Sequence, residues 1–188
     1  MGSTVLYMSM SVDGFIAGPN ETDENGLGDG GDRLHEWVFP PEGGVNNRVI
    51  DEFMSTGAVV AGRGTFEPAD GWHGDHHDGV PIWVLSRRPA PEWAGSMHSV
   101  TYTNDIHAAF RDARSAAGEK DVLVHGASTA QRAISAGLLD ELEIHLIPVL
   151  LGEGRRLFEH LGAEQRQLER LRVLPGEGGV THLRYRIR

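Results

Sequence analysis

"VLVHGASTAQRAI", residues 122–134, is the stretch on which the fold turns. Val122, Leu123 and Val124 form an unbroken aliphatic run, as in a strand covered on both faces, and from Ala127 onward the composition is that of a helix. A strand that enters a helix so directly leaves the first N–H groups of that helix without partners. Two readings stand. Ser128, followed three residues later by Gln131, fits a capping box that satisfies those groups from within the chain. Alternatively, the bare backbone of Gly126 and Ala127, with the positive end of the helix dipole behind it, forms a cradle for a phosphate.

Two further runs resemble this one: "AVVAG" at 58–62 and "IWVLS" at 82–86 are also continuous rather than alternating, which predicts parallel strands in the middle of a sheet. Helical segments lie between them. "NNRVIDEFMSTG" places Val49, Ile50, Phe53 and Met54 on one face. "NDIHAAFRDARSAAG" does the same with Ile106, Ala109, Phe110 and Ala113, with Asn104 or Asp105 as its cap and Gly118 as its end. The order is α/β. After residue 137 the pattern changes: "DELEIHLIPVLLG" alternates like a long strand, and "QLERLRVLP" and "VTHLRYRIR" flank a Pro-Gly-Glu-Gly-Gly turn, predicting an antiparallel C-terminal hairpin on a mixed sheet.

All three buried runs end in residues suited to anions. "AGRGTFE", 61–67, follows Gly62 with Arg63 and Thr65 at the start of a short helix, a phosphate site or simply a surface arginine beside a capping threonine. "VLSRRP" ends in Ser86, Arg87 and Arg88, a cationic cluster that taken singly is an ordinary solvated loop. Their coincidence carries more weight than any one of them, because ligands of open α/β sheets sit outside the carboxyl ends of the strands.

The bulk numbers constrain the partners. The 188 residues suit one domain, 1–188, since domains commonly run to about 100–200 residues. Lys and Arg number 17 against 27 Asp and Glu, a formal charge of −10, so the overall field opposes nucleic acid and anionic membranes. Any phosphate must be held locally. No apolar run approaches the roughly 20 residues of a membrane span. There is no cysteine, and "MGSTVLYMSMSVDGF" lacks the basic-then-apolar pattern of a signal peptide, so a cytoplasmic protein is expected.

"AGPNETDENGLGDGGD" (17–32) and "FPPEGG" (39–44) are too rich in turn formers to build elements and read as a long loop, the kind that often closes a cleft. "WHGDHHDG", 72–79, sets His73, His76 and His77 beside two aspartates; the reading adopted is a polar loop without a metal. Trp83 is read as packing and Trp37 as a candidate pocket wall. Asp13 is a candidate proton source or orienting group if partial burial raises its pKa, or else part of an Asp-Gly turn.

Together, "MSVDGFIAG", "VVAGRGTFE", "WVLSRRP", "VLVHGASTAQRAISAGLLDELEIHLIPVLLGEGRRLF" and the C-terminal hairpin resemble the dihydrofolate reductase-like superfamily. Within it, the likeness is to the C-terminal reductase domain of the bifunctional riboflavin-biosynthesis deaminase-reductase. The resemblance implies a three-layer fold, a twisted, mostly parallel sheet with helices on both faces, and NADPH as cofactor. It places Arg63 and Thr65 of the Gly62-Arg-x-Thr element on cofactor phosphates and Ser86 and Arg87 on the adenosine 2′-phosphate. Gly126, Ala127, Ser128 and Thr129 would wrap the pyrophosphate, His125 would also contact the cofactor, and Ile16 and Ala17, just after Asp13, would lie near the nicotinamide.

The implied activity is reduction of 5-amino-6-(5-phosphoribosylamino)uracil or a related small heterocycle, in a cleft closed by the loop 14–32. A deaminase's cysteine zinc ligands are missing, so only the reductase step is implied. Dihydrofolate reductases proper carry Gly-Gly at the place of His125-Gly126, and Asp51 and Glu52 sit on the expected helix without the folate-site pattern. A plain dihydrofolate reductase and a nucleotide-binding regulatory module without turnover are the alternatives. A homodimer is expected, with 140–151 as an antiparallel edge offering Ile144, Leu146 and Val149.

Overall fold

The computed structural model describes residues 2–22, 24–39 and 43–188. The chain runs through β1 (Thr4–Ser11), β2 (Phe15–Ala17), α1 (Val45–Met54), β3 (Ala58–Gly62), the single turn α2 (Arg63–Phe66) and β4 (Ile82–Leu85). It continues with β5 (Val100–Thr103), α3 (Ile106–Ala117), β6 (Val122–His125), α4 (Ala127–Ser135), β7 (Glu141–Ile147), β8 (Arg155–Arg156), β9 (Leu168–Pro175) and β10 (Thr181–Ile187). Eight strands form one sheet in the order β5-β4-β3-β6-β1-β7-β10-β9, and β2 pairs with β8 in a separate two-stranded ribbon.

The six strands from β5 to β7 are parallel, and β10 and β9 close the sheet as an antiparallel hairpin. This is the mostly parallel, helix-covered architecture with a C-terminal hairpin that the sequence predicts. Val59, Val60, Val122, Leu123 and Val124 are buried on both faces of the sheet. Phe110 and Ala113 of α3 and Ala130 and Ile134 of α4 pack with Leu6, Val60 and Val124 on one face. On the other face Phe66 of α2 packs with Val5, Val59 and Leu123, and Phe53 of α1 leans on the same cluster. Asp105 caps α3 by accepting a hydrogen bond from the Ala108 N–H at 3.0 Å, and Gly118 ends it at φ 64°. Met54, expected on the buried face of α1, is exposed.

Three expectations are corrected. First, 140–151 is not an antiparallel edge: β7 lies inside the sheet, parallel to β1 and flanked by β10. Ile144 is buried and unavailable for a dimer contact. The alternation that suggested an edge is real, but both faces are covered. Leu142 and Ile144 enter the apolar core, while Glu141, Glu143 and His145, all buried, meet Arg186, Arg184 and His182 of β10 as directly paired residues. Arg184 lies 2.7 Å from Glu141 and 3.2 Å from Asp121. Arg172 of β9 binds Glu143 at 3.0 Å and both oxygens of Glu52 at 2.7 Å. Burial pushes the Glu143 carboxyl up, and the two arginines oppose that shift.

Second, the long loop is partly built. Phe15–Ala17 forms β2, and residues 31–38 make two short 3-10 turns that bury Leu34 and Trp37 against Val49; Pro40, Pro41 and Glu42 of the "FPPEGG" segment lie outside the described residues. Third, the capping box at Ser128 does not form. Gly126 occupies the cap position, no side chain caps α4, and Gln131 instead donates to the Leu157 carbonyl at 3.0 Å. Among the described residues no helix is long and apolar enough to cross a membrane.

The buried charges make a testable demand. Replacing Arg184 by Leu leaves buried Glu141 with Arg186 alone and buried Glu143 with Arg172 alone, and removal of one partner from a buried ion-pair network costs up to about 3–5 kcal/mol. Urea unfolding of R184L should show a loss of that order. An unchanged midpoint would mean that water reaches these carboxylates.

Candidate functional site

Parallel pairing puts the carboxyl ends of β3, β4 and β6 side by side: Gly62 pairs with Leu85, and Ala61 with His125. The turns that follow enclose a cleft of about 620 Å³ lined by Gly62, Arg63, Thr65, Ser86, Arg87, Gly126, Ala127, Ser128 and Thr129. Nine of the sequence-predicted residues thus meet in one place. Arg88, Arg132 and Arg155 join them, so five arginines and no acid face this cleft in a chain of net charge −10.

The backbone of the cleft is shaped for close approach. Gly126 has φ 92°, and a Cβ there would lie 2.4 Å from Thr65 Oγ1. Glycine is required on both counts. The α4 start has no side-chain cap, and the buried Thr129 hydroxyl beside it has no hydrogen-bond partner. Unsatisfied N–H groups at a helix start, an orphaned hydroxyl and surrounding guanidinium groups are a donor set for oxyanions. No cis peptide bond occurs among the described residues.

The roles within the predicted set differ. Arg63 is a brace: its Nε lies 2.8 Å from Glu67, and Nη1 donates to Ser86 Oγ at 3.1 Å and the Pro89 carbonyl at 2.8 Å. Arg63 and Ser86 therefore hold each other and shape the 86–89 turn, while Arg87 and Arg88 are exposed.

The contacts of Asp13 are those of a turn residue, one of its two sequence readings. Asp13 lines neither the arginine cleft nor the cavity adjoining it; its carboxylate accepts from Ser11 Oγ at 2.6 Å, Leu151 N–H at 3.1 Å and Gly152 N–H at 2.7 Å. The Ser11 hydrogen bond, aided by the two backbone donors, lowers its pKa to about 2. These hydrogen bonds favour the ionised form of the carboxyl. Its work is to tie the β1–β2 turn to the loop before β8.

A second cavity of about 420 Å³ adjoins the first, sharing Gly64, Thr65 and Arg155 with it. Ile16 and Ala17 line this second space, as does the His125 ring, which is therefore not part of the arginine cleft. Trp37, expected as a pocket wall, is one, and its Nε1–H donates to Ser9 at 2.8 Å. Trp83 packs against the core. Glu21 and Leu27 of the loop after β2 cover the cavity, and Glu21 grips Arg155 at 2.8 and 2.9 Å where the two spaces meet.

The sequence reading missed the character of this cavity. It is walled by His35, His76, His125 and His145 together with Tyr7, Phe53, Trp37 and Trp72. His76 and His77 are not in a solvated polar loop. His77 is buried, and the His76 ring sits edge-on to Trp72 at 4.6 Å and 5.3 Å from His125. Among the described residues no group of three potential ligands is arranged to hold a metal. The overlooked signal was the polar stripe Glu141, Glu143, His145 on a strand otherwise made of core residues.

Burial keeps these imidazoles neutral: it lowers the pKa of His76 to about 2 and of His125 and His182 to about 4. His145 is lowered too, by burial and then by its neighbour His182.

Comparison with known proteins places this geometry. The family model of the RibD C-terminal domain matches residues 3–181. An uncharacterized protein of Bacillus subtilis, YwjB, is 28% identical over 190 residues, covering 97% of this chain and 96% of the relative. A putative riboflavin biosynthesis protein from a Shewanella species superposes with a TM-score of 0.74 at 22% identity, over 99% of both chains. A pyrimidine reductase-like protein of Corynebacterium diphtheriae gives 0.66 at 14% identity, over 99% of this chain and 92% of its own. RibD of Acinetobacter baumannii gives 0.64 at 18%, with this chain matched in full to 58% of that one.

Neutral buried histidines make folding acid-sensitive. An unfolded histidine takes up a proton near pH 6.5, whereas folded His125 and His182 resist until about pH 4. Between those values the unfolded state binds more protons. Stability should therefore be constant above about pH 7 and fall as pH drops from about 6.5 to 4, by at most about 1.4 kcal/mol per pH unit for each histidine. Urea titrations across this range test it; stability that stays flat down to pH 5 would mean that the rings charge freely in the fold.

Proposed function

The chain belongs to the RibD C-terminal domain family, and on that premise we propose that it is an NADPH-dependent reductase of a small heterocyclic substrate. The reaction is of the 5-amino-6-(5-phosphoribosylamino)uracil reductase type or a close relation of it. The observation that carries this reading is the pair of joined cavities: a five-arginine cleft at an uncapped helix start, opening through Gly64, Thr65 and Arg155 into an aromatic, histidine-walled space.

The residues present fit the cofactor. The uncapped start of α4, the unpaired Thr129 hydroxyl and the gap that only a glycine leaves at residue 126 receive a diphosphate. Arg87 and Arg88, exposed and unbraced, suit the further 2′-phosphate of NADPH, with Arg63 and Ser86 holding their turn in place. When bound, the nicotinamide supplies a hydride. Ile16 and Ala17 then define an apolar wall of the second space, and Trp37, Trp72 and Phe53 bound the substrate side and displace water. The protein's contribution is orientation and a dry cavity.

Two alternatives fare differently. A folate substrate needs a free carboxylate from α1 in the cavity, and neither Asp51 nor Glu52 lines it, Glu52 being held by both terminal nitrogens of Arg172. A nucleotide-binding module without turnover is favoured by one observation, the ionised and remote Asp13. Loss of NADPH absorbance with any heterocycle would dismiss it.

Calorimetric titration tests the cofactor assignment. NADPH should bind about ten-fold or more tightly than NADH, the worth of one or two charge-assisted hydrogen bonds. Arg87→Ala should remove that preference while leaving NADH unchanged, and Gly126→Ala should abolish both. Equal affinity for the two nucleotides would refute the 2′-phosphate site, and no binding of either would refute the cleft.

A further inference from the structure

Two histidine pairs stand behind the second cavity, and their hydrogen bonds determine where each proton sits. In the first, Asn46 Nδ2 donates to the carbonyls of Trp37 at 3.3 Å and Glu177 at 3.2 Å. The atom it turns to His182 Nε2, 3.0 Å away, is therefore its Oδ1. An amide oxygen only accepts, so His182 carries its proton on Nε2 and offers a lone pair at Nδ1. His145 Nδ1, 2.9 Å from that lone pair, must be the donor. Neutral His145 has no second proton, and its Nε2 is a bare acceptor.

The second pair repeats the logic with different partners. His77 Nε2 lies 3.1 Å from the Thr56 carbonyl and 3.2 Å from the Thr56 hydroxyl, whose own proton goes to the Phe53 carbonyl at 2.7 Å. His77 is thus protonated on Nε2. His76 Nδ1, 2.7 Å from His77 Nδ1, must donate to it, which leaves Nε2 of His76 bare as well.

Both front rings line the cavity, and neither Nε2 has a hydrogen-bond partner among the described residues. Each ring is backed by a tryptophan: Trp37 lies 4.3 Å from His145 and Trp72 lies 4.6 Å from His76, centre to centre. Burial holds both rings neutral.

We propose that His76 and His145 are the specificity-determining residues of this cavity, two tautomer-locked imidazoles whose Nε2 atoms accept hydrogen bonds from N–H or O–H groups of a flat ring. His77 and His182 are positioning residues that act only through them. A ring without donors leaves two buried nitrogens unpaired and is rejected on that account. The inference rests on the reading of this cavity as the substrate side of the reductase.

Nitrogen-15 NMR of the labelled protein at neutral pH, assigned with His76→Phe and His145→Phe, reads the tautomers without any ligand. Both front rings should be protonated on Nδ1 and bare on Nε2. Uracil, a ring with two N–H donors, should shift both Nε2 signals, and its N,N′-dimethylated form should bind about ten-fold or more weakly for want of donors. In His182→Phe, His145 loses the partner of its Nδ1 proton and should move to the Nε2 tautomer, weakening uracil but not NADPH.

An Nε2 proton on either front ring of the wild type overturns the proposal, as does equal binding of the two rings or no response to uracil. NADPH titration keeps the failures apart. If NADPH binds and uracil is ignored, only the acceptor pair falls; if NADPH does not bind, the reductase reading falls while the tautomers remain measurable.

Discussion

The approach of two strand-to-helix turns to within contact of each other is the constraint on which the rest of this structure depends. Gly126, at the end of β6, sits so close to Thr65, after β3, that any side chain there would collide with the threonine hydroxyl. The contact exists because β3 and β6 are adjacent and parallel, so that both turns emerge at one edge of the sheet. It brings an uncapped helix start, a hydroxyl and several arginines into one cleft without needing a basic protein. Local geometry concentrates positive potential where the chain as a whole carries the opposite sign.

The other half of the sheet solves a different problem. Strand β7 presents two carboxylates and a histidine to a covered face, an arrangement that would be ruinous if unpaired. The hairpin β9–β10 supplies the counter-charges Arg172, Arg184 and Arg186 and the imidazole of His182. The same stripe continues from ion pairs to neutral rings at the cavity wall. Charge is therefore confined to one end of β7 and uncharged hydrogen-bonding capacity to the other.

The Glu21–Arg155 pair joins these halves. It connects the loop after β2 to β8 at the seam shared by the two cavities, so an anion entering the cleft competes with Glu21 for Arg155. Asp13, anchoring the neighbouring turn through three hydrogen bonds, gives that loop a firm base.

The sequence by itself determined the α/β order, the parallel centre, the C-terminal hairpin and the nine residues of the arginine cleft. Those features are local: continuous apolar runs, caps and strand-end glycines act within a few residues of themselves, so one chain segment suffices to read them. The position of β7 was not legible, because an alternating strand looks the same whether its polar face meets water or arginines 29 or more residues away. Nor were the contacts of Asp13, whose carboxylate accepts not only from nearby Ser11 but from the distant N–H groups of Leu151 and Gly152. The histidine cavity draws on β1, β6, β7, the residues after α2 and the loop after β2, and only the tertiary structure decides which ring nitrogens face one another, because a tautomer is a property of the partner and not of the residue.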